Sequence, residues 1–232
     1  MHTPVTTPKL AIRKEKDLLG ELDVPQEAYY GIQTSRACQN FDLSGIHINH
    51  FPELVEALAL VKLACAKTNN QLGQLSDAKT DTIEAAVNKI LAGHHHEDFV
   101  VDMIQGGAGT STNMNANEVI ANIGLELMGK AKGDYTHLHP NNDINKSQST
   151  NDVYPTAVRL SIILLHSHLV EALTSLRDTF SQKALEFSDI IKMGRTQLQD
   201  AVPMTLGQEF QSFASTLNED IQRIADLSQL LK

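Results

Sequence analysis

The sequence predicts an all-α protein: a mostly helical N-terminal domain followed by the first long helices of a central helical bundle. Three observations carry this. Hydrophobic residues make up 41% of the 232, aromatics only 5%, and Trp is absent, so Leu, Ala and Ile supply most of the apolar surface, as helix-rich chains do. From Asn151 to Phe187 no breaker follows Pro155, a run of about 50 Å at the α-helical rise. From Leu206 through Phe210, Phe213, Leu217, Ile221, Ile224, Leu227 and Leu231, apolar residues recur at helical spacing as a continuous seam. Two such helices cannot bury themselves as a pair, so they belong to a bundle.

Taken in order, Met1 to Lys16 reads as a frayed arm. Asp17 to Phe41, with Val24-Pro25 and Tyr29-Tyr30-Gly31, reads as an ordered but largely irregular lead-in. A helix is predicted from Phe51-Pro52, where Pro suits the first turn, with Leu54, Ala57, Leu58, Val61, Ala64 and Cys65 on one apolar face. A second opens near Ser76-Asp77, buries Ile83, Ala86, Val87, Ile90 and Leu91, and stops at Gly93, a natural residue just past a helix end. The glycine-rich Gly106 to Gly109 precedes a helix predicted at Asn115 to Met128. Gly133 to Gln148 is a loop rich in Asn, Asp and His. Asn151 or Asp152 caps the long helix, and Lys192 to Pro203 interrupts the two long helical runs. Two domains are expected, residues 1–148 and 149–232. Leu230-Leu231-Lys232 lie inside the periodic pattern with no stop signal, so a truncated chain is expected.

A net charge of −9 with no basic stripe argues against nucleic acid or an acidic membrane as partner. It leaves room for an anionic small molecule, because a pocket's local field can oppose the net charge. Cys38 and Cys65 lack metal-ligand spacing, which suits a reduced, cytoplasmic chain. No basic region followed by an apolar run opens the sequence, and unbroken apolar stretches such as Ile162 to Leu165 are too short to span a bilayer.

Three segments place small hydroxyl and amide residues just ahead of a helix: Gly109-Thr110-Ser111-Thr112-Asn113, Ser147-Gln148-Ser149-Thr150-Asn151-Asp152, and Gly194-Arg195-Thr196-Gln197-Leu198-Gln199-Asp200. Unpaired N–H groups and the positive end of the helix dipole make such places anion sites. Each taken singly also reads as an ordinary N-cap, and spacing alone does not show that the three converge. No P-loop Lys, dinucleotide-type strand or Gly-x-Ser-x-Gly elbow is present. His94-His95-His96-Glu97-Asp98 could suggest a metal, but consecutive residues aim poorly at one ion. A solvated loop is expected there, and no metal is assigned. His166 and His168 read as packing or surface residues.

These clusters, with Gly106-Gly107-Ala108 and Met114-Asn115, the lead-in Asp17-Leu18-Leu19-Gly20 and Ala28-Tyr29-Tyr30-Gly31, and Lys192-Met193 through Gly207-Gln208-Glu209, closely resemble the fumarase/aspartase superfamily. The resemblance runs over essentially the whole chain from Lys14. Its ammonia-lyase branch is the nearer one: Thr150 stands where class II fumarases usually have a second Ser, Gln197 where they have His, and Asp200-Ala201-Val202-Pro203-Met204 is also aspartase-like.

The resemblance implies reversible deamination of L-aspartate to fumarate and ammonia, without a cofactor. Class II fumarate hydratase and a non-catalytic dicarboxylate-binding or assembly module are the alternatives. It implies removal of a proton from the carbon next to the β-carboxylate, giving an aci-carboxylate whose added charge needs preorganised donors. By position, Thr110, Ser149 and Thr150 would hold the β-carboxylate, Asn151 and Gln197 would face the amino group, and Thr196 would help hold the α-carboxylate. The family's base is a loop serine from the later part of the chain. No matching Gly-Ser-Ser loop exists in these 232 residues, so the base is expected beyond Lys232 and no catalytic residue is assigned here. The family's site is assembled from three subunits of a homotetramer, so this chain alone is expected to be inactive. His139-Pro140-Asn141-Asn142-Asp143 corresponds to a second dicarboxylate site of fumarases, with an ordinary Asn-rich turn as the equal alternative.

Overall fold

Ile12-Arg13-Lys14-Glu15-Lys16-Asp17 has no apolar alternation, yet it forms a strand, because its inward-facing residues are charged and paired. The computed structural model describes residues 11–231. In it β1 (Ile12–Asp17) pairs antiparallel with β2 (Gly20–Pro25) across a tight turn at Leu18-Leu19. Arg13 and Glu15 are buried and share a 2.8 Å ion pair. The Arg13 guanidinium donates to the carbonyls of Pro25, Gln26, Ala28 and Tyr30, which satisfies backbone groups that would otherwise be costly to bury. The predicted frayed arm is thus corrected for Ile12 to Lys16, while residues 1–10 lie outside the described part. The irregular lead-in is corrected too, since it holds β2 and α1 (Ile32–Asn40).

Helix α1 begins where carboxylates from elsewhere take up its orphan N–H groups. Glu118 accepts from the N–H groups of Gly31, Gln33 and Thr34 and from Thr34 Oγ1, all within 3.0 Å. Glu15 accepts from Ile32 N–H at 2.9 Å. Gly31 is required here, because a Cβ would stand 2.5 Å from Tyr135 Oη and 2.8 Å from Glu15 Oε2.

Helices α2 (Pro52–Gln71), α3 (Asp77–Leu91) and α4 (Thr110–Leu127) form the core of this part. Leu54, Val55, Leu58, Ile83, Val87, Ile90, Val119, Ile120 and Ile123 are buried in it. Pro52 opens α2, Ser76 caps α3 by accepting Lys79 N–H, and Gly93 stands just past its end at φ 87. Two expectations shift. α4 starts five residues earlier than predicted, at Thr110, and Thr112, Asn113 and Asn115 in its first turns are buried. The second half of α2 buries Lys62, Ala66 and Asn69, while Ala64 is exposed and Val61 and Cys65 are only half-buried. The polar members of that face carry hydrogen bonds, such as Asn69 Nδ2 to Lys146 O at 2.9 Å.

Helix α5 (Thr150–Glu186) runs 37 residues with Pro155 in its second turn. Ser149, not Asn151 or Asp152, caps it: Ser149 Oγ accepts Asn151 N–H at 3.2 Å, and its carbonyl accepts from Val153. By length and mean hydropathy, 1.3 over its most apolar window, α5 could cross a membrane, though such a helix is weak evidence of doing so. Unbroken apolar runs do not reveal this, because polar residues such as His166, Ser167 and His168 interrupt the apolar ones along α5.

The chain forms two compact units, one through Ser161 and one from Ile162. In the second, β3 (Ile191–Thr196) and β4 (Gln199–Thr205) form an antiparallel hairpin that leads into α6 (Leu206–Ser228). The side chains of Thr205 and Gln208 cap α6 reciprocally, as a capping box. Phe180, Phe187, Phe210 and Phe213 cluster with ring centroids 5.2–6.1 Å apart, in tilted and edge-on arrangements that aromatic pairs favour. Gly207 lets α6 approach the end of α5, since a Cβ there would collide with the Ala184 carbonyl.

Candidate functional site

In the first unit the heads of α4 and α5 are neighbours. Gly109, just before Thr110, sits at φ 80 against the Tyr154 ring, so closely that any Cβ would overlap it. Tyr154 lies one turn into α5, after Ser149-Thr150-Asn151. Thr110, Ser149 and Asn151 are exposed and Thr150 is half-buried. Ser149 Oγ takes its own helix's N–H. Among the described residues, the side chains of Thr110, Thr150 and Asn151 make no hydrogen bond and so remain available to a ligand. The structure therefore brings the first two sequence clusters to one place.

The link between them is a residue that pattern reasoning passes over. Lys62, wholly buried on α2, donates from Nζ to Asn113 Oδ1 at 2.6 Å, Asn145 Oδ1 at 2.9 Å and Gln148 Oε1 at 2.8 Å. Asn113 belongs to the first turn of α4, and Gln148 immediately precedes Ser149. Asn113 Nδ2 also donates to Asn145 Oδ1 at 3.0 Å, Asn145 Nδ2 to Gln148 O, and Gln148 Nε2 to Ile144 O at 2.7 Å. The lysine's three donors thus meet three neutral amide oxygens and no carboxylate.

Burial pushes the Lys62 pKa down to about 7, with the neighbouring Cys65 acting weakly the other way. An uncompensated buried cation is expensive, and it is tolerated where its field serves an anion. It adds to the positive ends of α4 and α5. The signal in the sequence is a lysine at an apolar-face position, four residues after Leu58 and four before Ala66.

Thr196 and Gln197 lie in the second unit, at the exposed tip of the β3–β4 hairpin. Gln197 and Leu198 both adopt positive φ, 50° and 64°, the two-residue turn that matches strand twist but ordinarily takes Asn or Gly. A bulky, exposed residue held in this conformation is strained, as residues at functional sites often are.

Hollows do not single out these heads. A groove of about 300 Å³ beside Ser149 is lined by Val61, Cys65, Gln148, Val153 and their neighbours. Larger hollows of about 630 and 610 Å³ flank His139 instead. There Pro140–Ile144 forms a π-helical turn, and His139 Nδ1 accepts the N–H groups of Asn141 and Asn142. Asp143 Oδ2 takes both His139 N–H and Lys79 Nζ. The polar groups of this loop largely satisfy one another.

Hydroxyl-bearing helix heads over a buried lysine, on an N-terminal helical unit that leads into long helices, define the class: residues 20–232 match the family described as lyase, and the chain belongs to it. At finer grain, it is 62% identical to an aspartate ammonia-lyase of Pseudomonas canavaninivorans, covering 94% of this chain and 46% of that protein. It is 51% identical to the aspartate ammonia-lyase of Escherichia coli strain K12, over 95% and 46%. Among solved structures, a fumarate lyase:delta crystallin from Brucella melitensis superposes with a TM-score of 0.91 at 56% identity, covering 95% of this chain and 51% of that one. A class II fumarase from Schistosoma mansoni gives 0.85 at 37%, over 95% and 46%. The chain spans about half the length of these curated relatives.

Proposed function

We propose that this chain contributes the helix-head part of the dicarboxylate site of an aspartate ammonia-lyase, which interconverts L-aspartate with fumarate and ammonia. The observation that carries this reading is the buried, carboxylate-free Lys62 binding together the first turn of α4 and the residue before Ser149. Such a platform stabilises negative charge, and the aci-carboxylate formed on proton removal is where charge develops. Thr110, Ser149 and Thr150 donate to the β-carboxylate. Asn151 and Gln197 face the amino group, and Thr196 assists the α-carboxylate. A neutral Gln197 can accept a hydrogen bond from the amine without opposing its charge. The base that takes the proton belongs to the half of the relatives' length that this chain does not span.

The intact enzyme is proposed to be a cytoplasmic homotetramer in which α5 and α6 enter a shared bundle. Leu169, Leu176, Phe213 and Leu227, each at least 44% exposed, favour that role. A domain boundary at 148/149, just ahead of α5, is proposed with it, whereas the two compact units divide within α5, between Ser161 and Ile162.

Class II fumarate hydratase is the second reading, favoured by the 0.85 TM-score to such an enzyme. Thr150 and Gln197 stand against it. Ammonia release from L-aspartate by the gene's full-length product, measured beside dehydration of malate, separates the two. Preferential malate turnover moves the assignment to fumarase, and binding without turnover of either favours a non-catalytic module.

A further inference from the structure

We propose that His95, Glu97 and Asp98 form a binding site for a divalent transition-metal ion of the zinc class. The turn after α3 creates it. Gly93 at φ 87 and His95 at φ 62 reverse the chain into the 3₁₀ turn His96–Asp98, which brings residues 95 and 98 onto the same side. His95 and Asp98, three residues apart on this tight turn, can therefore aim at one ion, and Glu97 reaches it from the adjoining position.

One ligand atom from each of the three residues lies within 4.8 Å of the others, and His95 Nδ1 stands 3.8 Å from Asp98 Oδ2. Two ligands of a tetrahedral ion bound at about 2.1 Å are about 3.4 Å apart, so this pair needs to close by only a fraction of an ångström. At 3.8 Å the two atoms are too far apart to hydrogen-bond each other.

Asp98, buried, and His95, half-buried, are positioned by other groups and left open toward the site. Asp98 is 8% exposed. Its Oδ1 accepts Tyr29 N–H at 2.8 Å, while no donor among the described residues reaches Oδ2. The His95 ring packs on Tyr29 with centroids 4.1 Å apart, and neither of its nitrogens has a hydrogen-bond partner among the described residues. Glu97, on the exposed side, supplies the third ligand. Around them Glu126, bonded to Tyr29 Oη, adds negative charge, opposed by Lys89 and by Lys132 over the Tyr29 ring. His96 takes no part, because its Nε2 bonds Ile90 O at 2.8 Å. One imidazole with two carboxylates suits zinc, cobalt or nickel better than magnesium or calcium, which prefer all-oxygen shells.

The site shares no residue with the dicarboxylate platform and stands independently of it. The test is a Co²⁺ titration of the tag-free, chelator-treated chain, followed by visible absorption, with Zn²⁺ as competitor. One Co²⁺ per chain is expected, displaced by Zn²⁺ and retained in His94→Ala. Affinity should fall by about tenfold or more in His95→Ala and in Glu97→Gln. Glu97→Gln alters an exposed side chain and keeps the test valid should His95→Ala misfold. Absence of binding at millimolar Co²⁺, or binding unchanged in Glu97→Gln, would overturn the proposal.

Discussion

Lys62 is the residue on which the proposed site turns. Its three amide acceptors match the three N–H donors of an ammonium, the form it holds below about pH 7. Lys62→Met removes the charge at similar length and leaves Asn113 Oδ1 and Gln148 Oε1 without their donor, while Asn145 Oδ1 keeps the Asn113 amide. Each such group costs about 1–3 kcal/mol where no water replaces the partner. The variant is expected to unfold at lower denaturant concentration than the parent chain and to lose dicarboxylate affinity in the full-length product.

The pH dependence of Lys62 has a definite sign. Its folded pKa, about 7, lies below its ordinary 10.5, so between those values the unfolded chain holds a proton that the folded chain has released. Stability must therefore rise with pH across that window on account of Lys62. Denaturation curves at pH 7 and pH 10 should show the rise in the parent and a smaller one in Lys62→Met. Equal slopes in both would mean that Lys62 titrates normally.

Among the elements, what was legible in the sequence tracks how each is stabilised. α2, α3, α5 and α6 are held by apolar periodicity and recognisable caps, and their existence and approximate limits follow from the pattern. β1, α1 and the first turns of α4 are held by buried polar pairs: Arg13 with Glu15, Glu118 with the head of α1, and Lys62 with Asn113. Such pairs leave no hydrophobic period to read. The site divides in the same way. Thr110, Ser149 and Thr150 stand out as cap-type residues and by resemblance, whereas Lys62, Asn145 and Gln148 become visible only when the fold brings them together.

The hairpin tip offers a test at this scale. Leu198, at φ 64 and almost fully exposed, occupies backbone space that suits glycine. Leu198→Gly should stabilise the second unit by about 1 kcal/mol, offset in part by the greater freedom of glycine in the unfolded chain. A raised unfolding midpoint is the expected readout, and a lowered one would mean that the turn is not under strain.

For the molecule as a whole, α5 and α6 expose more apolar side chains than a two-helix arrangement can cover, including Leu165, Leu169, Leu176, Phe213 and Leu227. Exposed apolar surface on this scale marks an interaction face. The 232-residue chain should therefore sediment as an oligomer or aggregate at micromolar concentration, and a strictly monomeric species would count against the bundle reading. The same chain should release no ammonia from L-aspartate, because no residue in it matches the family's serine base.

The central claim is that the heads of α4 and α5 hold the substrate's β-carboxylate. Its most direct test is steady-state ammonia release from L-aspartate by the full-length product and by its Ser149→Ala/Thr150→Val variant. Turnover by the parent and a fall of at least about 100-fold in kcat/KM for the variant, the scale of losing transition-state donors, is the predicted result. A folded variant with unchanged kcat/KM would contradict it.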